Sequence, residues 1–233
     1  MSDDGAIQVN FAKPLPLFPL DTAALLPQQV LPLHIFEPRY RQMVQRALDG
    51  PGQFAIAVFH GTRWKQEYHA RPPLRPVVCL AQIVQHERLP DAKFNLLAQG
   101  LCRARIVEEL PPSPDRLYRE ATLQPLGEDE DEQSLAGVRE RLAELLDERL
   151  GELGVTSWVL DRVRSRQIPS SVVLELVSFT LVNDPELRYR LLAEPAAPAR
   201  AGLIIHELEA IADTLRLASR QKPLDWPKGM SWN

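Results

Sequence analysis

Five histidines, His34, His60, His69, His86 and His206, are the side chains best suited to ligate a metal or to move a proton near neutral pH. Their spacing argues against both uses. None falls in a His-Glu-x-x-His run, and none joins a cysteine pair at zinc-ligand spacing. His60 and His69, with Glu67 between them, come nearest to a ligand set and lie in a loop-like segment. Cys79 and Cys102 occur singly in strand-like runs, where a thiol behaves as a small buried apolar group. Glu108 and Glu109 are adjacent, so on a strand they face opposite ways and cannot share one proton. Phosphate-loop, dinucleotide-binding and nucleophile-elbow motifs are absent. A basic stretch, Arg39, Arg41, Arg46, Arg63, Lys65, Arg71 and Arg75, carries Trp64 and Tyr68 between its cations, a composition that can stack on bases and neutralise phosphates. The expectation is a chain that binds rather than catalyses, with no metal and no cofactor.

Charge tempers the nucleic-acid reading. Residues 1–127 hold 14 basic and 12 acidic side chains, a balance of +2, and residues 128–233 hold 13 and 19, a balance of -6. The two sums return the formal net charge of -4, which does not suit a protein built mainly to neutralise a phosphate backbone. The start Met1-Ser2-Asp3-Asp4 lacks the basic and apolar layout of a signal peptide. The longest apolar stretch, Val172 to Val182, is about half a membrane span and contains Glu175. These features imply a soluble, cytoplasmic protein.

The elements that would position any site divide the chain in two. There are 21 prolines in 233 residues, about 9% against a usual ~5%, and most precede residue 126. Proline is excluded from helix interiors and central strands. Strand-length apolar runs lie between these breaks: Phe54–Phe59, Val77–Val84, Phe94–Ala98, Cys102–Val107 and Tyr118–Leu123. The Cys102 run alternates, with Cys102, Ala104 and Ile106 on one face and Arg103, Arg105 and Val107 on the other, the period of a half-buried strand. Pro90-Asp91-Ala92-Lys93 reads as a hairpin turn. One helix interrupts the strands, opened by Pro38, closed before Gly50-Pro51, and apolar at Tyr40, Met43, Val44, Ala47 and Leu48. Short strands at this spacing predict a small barrel or folded sheet.

Beyond Leu126 the pattern turns helical. The acidic block 128–132 precedes Leu135, Val138, Leu142, Leu145 and Leu146 at three- and four-residue spacing. A second helix is predicted from Ser157 to about Gln167. Val172–Val182 is apolar nearly all round and follows Pro169-Ser170-Ser171, which predicts a buried helix; its β-branched residues make a strand the rival. Asn183-Asp184-Pro185-Glu186 opens another helix through Leu192, and Ile204, Leu208, Ile211, Leu215 and Ala218 mark the last. The predicted fold is α+β: a β-barrel module over 1–127, an α-helical bundle over 128–220, and a tail over 221–233 whose Trp226 and Trp232 pack back on the bundle, the commoner outcome, or dock in a neighbour.

Leu15-Pro16-Leu17-Phe18-Pro19-Leu20, followed by Leu31-Pro32-Leu33-His34-Ile35-Phe36-Glu37-Pro38-Arg39-Tyr40, resembles the opening of the N-terminal, substrate-recognising domain of the Lon ATP-dependent proteases. Leu80–Val84, Leu89-Pro90-Asp91 and Gly100–Ile106 are similar to the hairpin strands and turn that follow in that family. The resemblance spans about residues 14–218 and is looser in the helical half. It departs where Val78-Cys79 stands for a usual glycine and Ala104 for a usual aromatic. The resemblance implies a six-stranded PUA-like barrel and a helical bundle. It also implies binding of unfolded or flexible polypeptide segments, alongside a protease or chaperone. The chain ends at Asn233 without the family's ATPase and protease modules, so the expectation is a stand-alone, non-catalytic adaptor, with RNA binding as the alternative. The residues carried over as a candidate binding surface are Phe18, Phe36, Glu37, Arg39 and Tyr40. Glu37 and Arg39 also have a structural use, the carboxylate beside a helix start and the guanidinium as its partner.

Overall fold

Strand β1, Leu15–Leu20, carries two prolines and still lies between two neighbours. The stagger of its pairing makes that possible. It pairs antiparallel with β6, Arg119–Leu126, through Leu15 to Leu17, and parallel with β3, Gln53–Val58, through Leu17 to Leu20. Only Leu17 has partners on both sides, so Pro16 and Pro19 each sit where one side of the strand is uncovered and a missing N–H costs no ladder bond. The computed structural model describes residues 8–21, 24–67, 70–127, 132–151, 154 and 156–220.

Among the described residues six strands form one mixed sheet in the order β2-β5-β4-β3-β1-β6, with β6 paired to β5 as well. β2 is Val30–Ile35, β4 is Val77–Arg88 and β5 is Phe94–Glu109. β5 changes neighbours midway. Its first part, Phe94 to Gln99, pairs with β2, and its second, Arg103 to Glu109, pairs with β6, while β4 runs beside both. Gly100 lies at the changeover, where a Cβ would come within 2.3 Å of the Leu26 carbonyl oxygen. The expected hairpin turn is present: the Leu89 N–H donates to the Lys93 carbonyl at 2.8 Å, and Asp91 and Ala92 have positive φ.

The core between these strands is small-celled. Leu15, Leu17, Ala55, Ala57, Val78, Leu80, Ala104, Ala121 and Leu123 form one buried cluster, with Cys102 and Ile106 partly buried against it. The alternation read from the Cys102 run therefore holds for that face. On the other face Val107 is exposed, but Arg103 is buried. Helix α1, Pro38–Leu48, starts at its proline and buries Tyr40, Met43, Val44 and Ala47 of the stripe its spacing predicts, with Leu48 partly buried.

Helices follow over residues 138–220: α2, Val138–Glu144, continuing into a π-helical turn at Leu145–Arg149; α3, Thr156–Arg164; α4, Ser170–Leu181; α5, Pro185–Ala193; and α6, Ala197–Arg220. The fold is thus α+β, a mixed sheet plus helices. The chain forms two compact units, residues 1–129 with 183–195, and residues 130–182 with 196–233. Helix α5 therefore belongs with the sheet, although periodicity groups it with the other helices. Asp184 caps it, its carboxylate accepting the Leu187 N–H at 2.6 Å. The Tyr189 hydroxyl accepts the Val77 N–H at 3.0 Å, and Arg103 reaches the Leu191 carbonyl at 3.2 Å, which explains why that strand arginine is buried.

In the second unit α4 is a helix, and no residue from Ser170 to Leu181 is fully exposed, as an all-round apolar run requires. It packs against α3 and α6, and α2 against α3 and α6. The stripe on α6 is buried at Ile204 and Leu208 and fades to exposure at Ala218. Tyr68, His69, most of the acidic block and the tail with Trp226 and Trp232 lie outside the described residues.

Candidate functional site

The matched motif splits between the core and the surface. Phe18 and Tyr40 are 7% and 5% exposed, and their rings meet edge to face at 4.5 Å, with Phe54 6.2 Å from Phe18. They anchor α1 to β1. Phe36, one residue beyond β2, is 58% exposed, with its ring stacked on the His34 imidazole at 6.0 Å. Glu37 is the residue before the first turn of α1; its carboxylate makes no cap bond and instead pairs with Arg39 at 3.0 Å. The Arg39 guanidinium lies over the Tyr40 ring at 4.6 Å. Motif recognition thus brings together a rigid junction with one presented aromatic ring.

That ring stands at an open sheet edge. Among the described residues β2 pairs with β5 alone. Three residues abreast across β2, β5 and β4 share a register, His34, Asn95 and Glu87. His34 Nδ1 and Asn95 Oδ1 are 2.7 Å apart, and the Asn95 amide points toward Glu87 at 3.5 Å. A groove of about 420 Å³ runs here, with Pro32, Leu33, Leu96 and Leu97 as its apolar wall. An unpaired strand edge exposes alternating N–H and C=O groups that another extended chain can complete. Proline at position 32, which has no N–H to offer, and the polar His34 keep such an edge from pairing indiscriminately.

A second concavity, of about 270 Å³, opens between β1, the start of α1 and the segments at 70–72 and 112–119. Four of its lining side chains are arginines: Arg39, Arg71, Arg116 and Arg119. Carboxylates that do not line it hold all four in place, Arg39 through the Glu37 pair described above. Arg119 grips Glu109 through two nitrogens at 2.5 and 2.8 Å, and Arg71 joins the same carboxylate at 3.1 Å. Arg116 pairs with Glu120 at 2.8 Å. Burial alone would push the Glu109 carboxyl up, but hydrogen bonds and charge from Arg119 and Arg71 outweigh it and hold the group below the usual carboxylate range. Leu17, Pro19, Phe59, Leu117 and Tyr118 supply apolar wall between the cations. Sequence spacing does not reveal this pocket, because its charges come from positions 39, 71, 109, 116 and 119; the one local sign is Arg116 and Arg119 flanking Leu117-Tyr118.

Five arginines of the basic stretch are already engaged. Arg39, Arg71 and Arg75 are ion-paired with Glu37, Glu109 and Glu186, and Arg41 and Arg46 donate to the Asp91 and Asp115 carbonyls. Trp64 stacks on Phe59 at 5.2 Å. Among the described residues no group of three His, Cys, Asp or Glu side chains is placed to hold a metal ion, and no helix is long and apolar enough to cross a membrane.

Residues 14–210 match the family model of the ATP-dependent protease La (LON) substrate-binding domain. The chain belongs to that family. The Lon protease of Trichlorobacter lovleyi is 29% identical over 136 residues, 57% of this chain and 16% of the relative. That of Desulfosudis oleivorans is 21% identical over 214 residues, 88% of this chain and 25% of the relative. The chain thus spans a quarter or less of the Lon proteases it matches. Among solved structures, the N-terminal domain of Mycobacterium avium complex Lon protease superposes with a TM-score of 0.62 at 17% identity, covering 84% of this chain and 98% of that one. A Lon N-terminal domain protein from Xanthomonas campestris gives 0.61 at 20% identity, covering 83% and 98%. These likenesses place the sheet and helices above in the Lon N-terminal fold.

Proposed function

We propose that these 233 residues bind polypeptide without transforming it, taking up exposed, extended segments of client proteins at the β2 edge. The observation that carries the reading is the conjunction of an open edge strand, an apolar groove beside it and the presented Phe36 ring, in a chain whose family is described as substrate-binding. Backbone groups of the edge would supply sequence-tolerant affinity, and the groove and ring would select apolar side chains. Glu37 and Arg39 hold the junction that presents Phe36, and Phe18 and Tyr40 hold α1 beneath it. We read the ring of pairings that runs from β1 through β3, β4, β5 and β6 back to β1 as the PUA-like barrel, followed by the helical bundle. Polypeptide is favoured over RNA because Arg39, Arg41, Arg46, Arg71 and Arg75 are already paired or bonded to carbonyls. Delivery to a protease or chaperone in the cytoplasm is the setting this reading implies.

The test is anisotropy with a fluorescent client protein, native in one arm and reduced and alkylated in the other. Selective binding of the unfolded form is expected, with Phe36→Ser weakening it at least about fivefold while leaving the melting temperature unchanged. Equal binding of both forms, or of neither, refutes the reading.

A further inference from the structure

We propose that the arginine-lined pocket between β1, α1 and the 112–119 segment captures the C-terminal residue of a client polypeptide, holding its α-carboxylate and an apolar last side chain. The inference rests on the polypeptide-binding reading and adds to it which end of a client is taken. Four guanidiniums line the pocket, and two of them, Arg71 and Arg119, share the single Glu109 carboxylate from outside the lining, so that trio carries one positive charge in excess. One excess charge matches a carboxylate, not the string of phosphates a nucleic acid would bring. The ion pairs also fix the guanidiniums, so a ligand would find its donors already oriented.

Arg116 shows how a guanidinium is fixed at this pocket, with Nη1 donating to Glu120 at 2.8 Å and Nη2 to the Pro111 carbonyl at 2.6 Å. The walls carry the second half of the specificity. Leu117 lines the pocket and is 57% exposed, so a hydrocarbon side chain seated there would cover it. At about 270 Å³ the cavity lies just below the ~300–1,000 Å³ of sites for drug-sized ligands, room for one or two terminal residues but not for a long segment.

The experiment measures binding of a fluorescein-labelled decapeptide ending in leucine, once as the free acid and once as the C-terminal amide. The free acid is expected to bind at least tenfold more tightly, and Leu117→Asp, which puts a like charge at an exposed position of the wall, is expected to erase that difference. Arg116→Leu should do the same, and Leu117→Asp keeps the test valid if that variant fails to fold. Equal affinity of acid and amide overturns the capture of a terminus while leaving client binding at the β2 edge intact. Failure of the unfolded client itself to bind refutes the underlying reading instead. Displacement of the free acid by a single-stranded decanucleotide at equal concentration also overturns the proposal, since it would assign the pocket to phosphates.

Discussion

Arg139 and Arg200 in the helical unit are 6% and 2% exposed, whereas Arg71, Arg116 and Arg119 in the sheet unit present themselves at a pocket. Arg139 donates to the Ser170 hydroxyl at 2.9 Å and to the Val163 and Ser165 carbonyls at 2.8 and 3.0 Å, and also to the Ile168 carbonyl, so one side chain gathers the end of α3 and the start of α4. Arg200 pairs with Glu175 inside the same unit at 3.5 Å. The pocket arginines instead share carboxylates at the edge of solvent. They donate to loop carbonyls too, Arg71 to Leu110, Arg116 to Pro111 and Arg119 to Pro72. The difference teaches that a guanidinium ringed by carbonyls serves as internal scaffolding, whereas one held between a carbonyl and a carboxylate can still line a pocket.

The largest effect should come from breaking the scaffold. Arg139→Met would strand several buried acceptors and is expected to destabilise the chain by about 3 kcal/mol or more, read as a fall in the urea midpoint. Lysine at the same position should not restore it, because one ammonium cannot reach a fan of four acceptors; full rescue by lysine would show that charge alone matters there. A smaller effect should follow acid at the pocket. The Glu109 carboxyl is held below its ordinary value, so its contribution is complete above about pH 4.3, where the unfolded chain is already ionised, and disappears as pH falls through the lower folded value. Melting temperatures of the parent and Glu109→Gln should therefore differ at pH 6 and converge toward pH 3. A gap that stays constant across that range would mean the ion pairs are not what Glu109 contributes. The smallest effect belongs to Arg166 and Glu140, a 2.8 Å pair whose side chains are 77% and 59% exposed. Arg166→Ala should leave the melting temperature within about 2 °C of the parent, and a larger drop would erase the contrast between surface and interior arginines.

Much of the frame was legible before any coordinates. Proline and glycine placement marks α1 and the 90–93 turn because those residues act through their own backbone. The alternation around Ala104 marks a strand because side-chain period is a local property. The docking of α5 was not legible: its apolar and capping signals say helix, but only the tertiary fold brings Tyr189 to Val77, 112 residues away. Likewise Phe18 and Tyr40 stand out in the motif, yet burial makes them supports rather than contacts. The pocket was invisible for the same reason as the docking, since Glu109 meets Arg71 and Arg119 only once β5 and β6 pair and the 70–72 segment closes on them. Arg103 looked like a solvent-facing strand residue until α5 covered it.

The return of α5 to the sheet has a consequence for synthesis. The ribosome releases the strands β1 to β6 well before residues 185–193, and residues 130–182 between them belong to the other unit. Until that helix emerges, the Val77 N–H and the Arg103 guanidinium wait without the acceptors they use in the finished molecule. The strand module is thus completed late, by a clasp that arrives only after most of the helical segment has been made. A chain cut after the sixth strand would carry the motif that identifies the family but not the latch that closes over its strands.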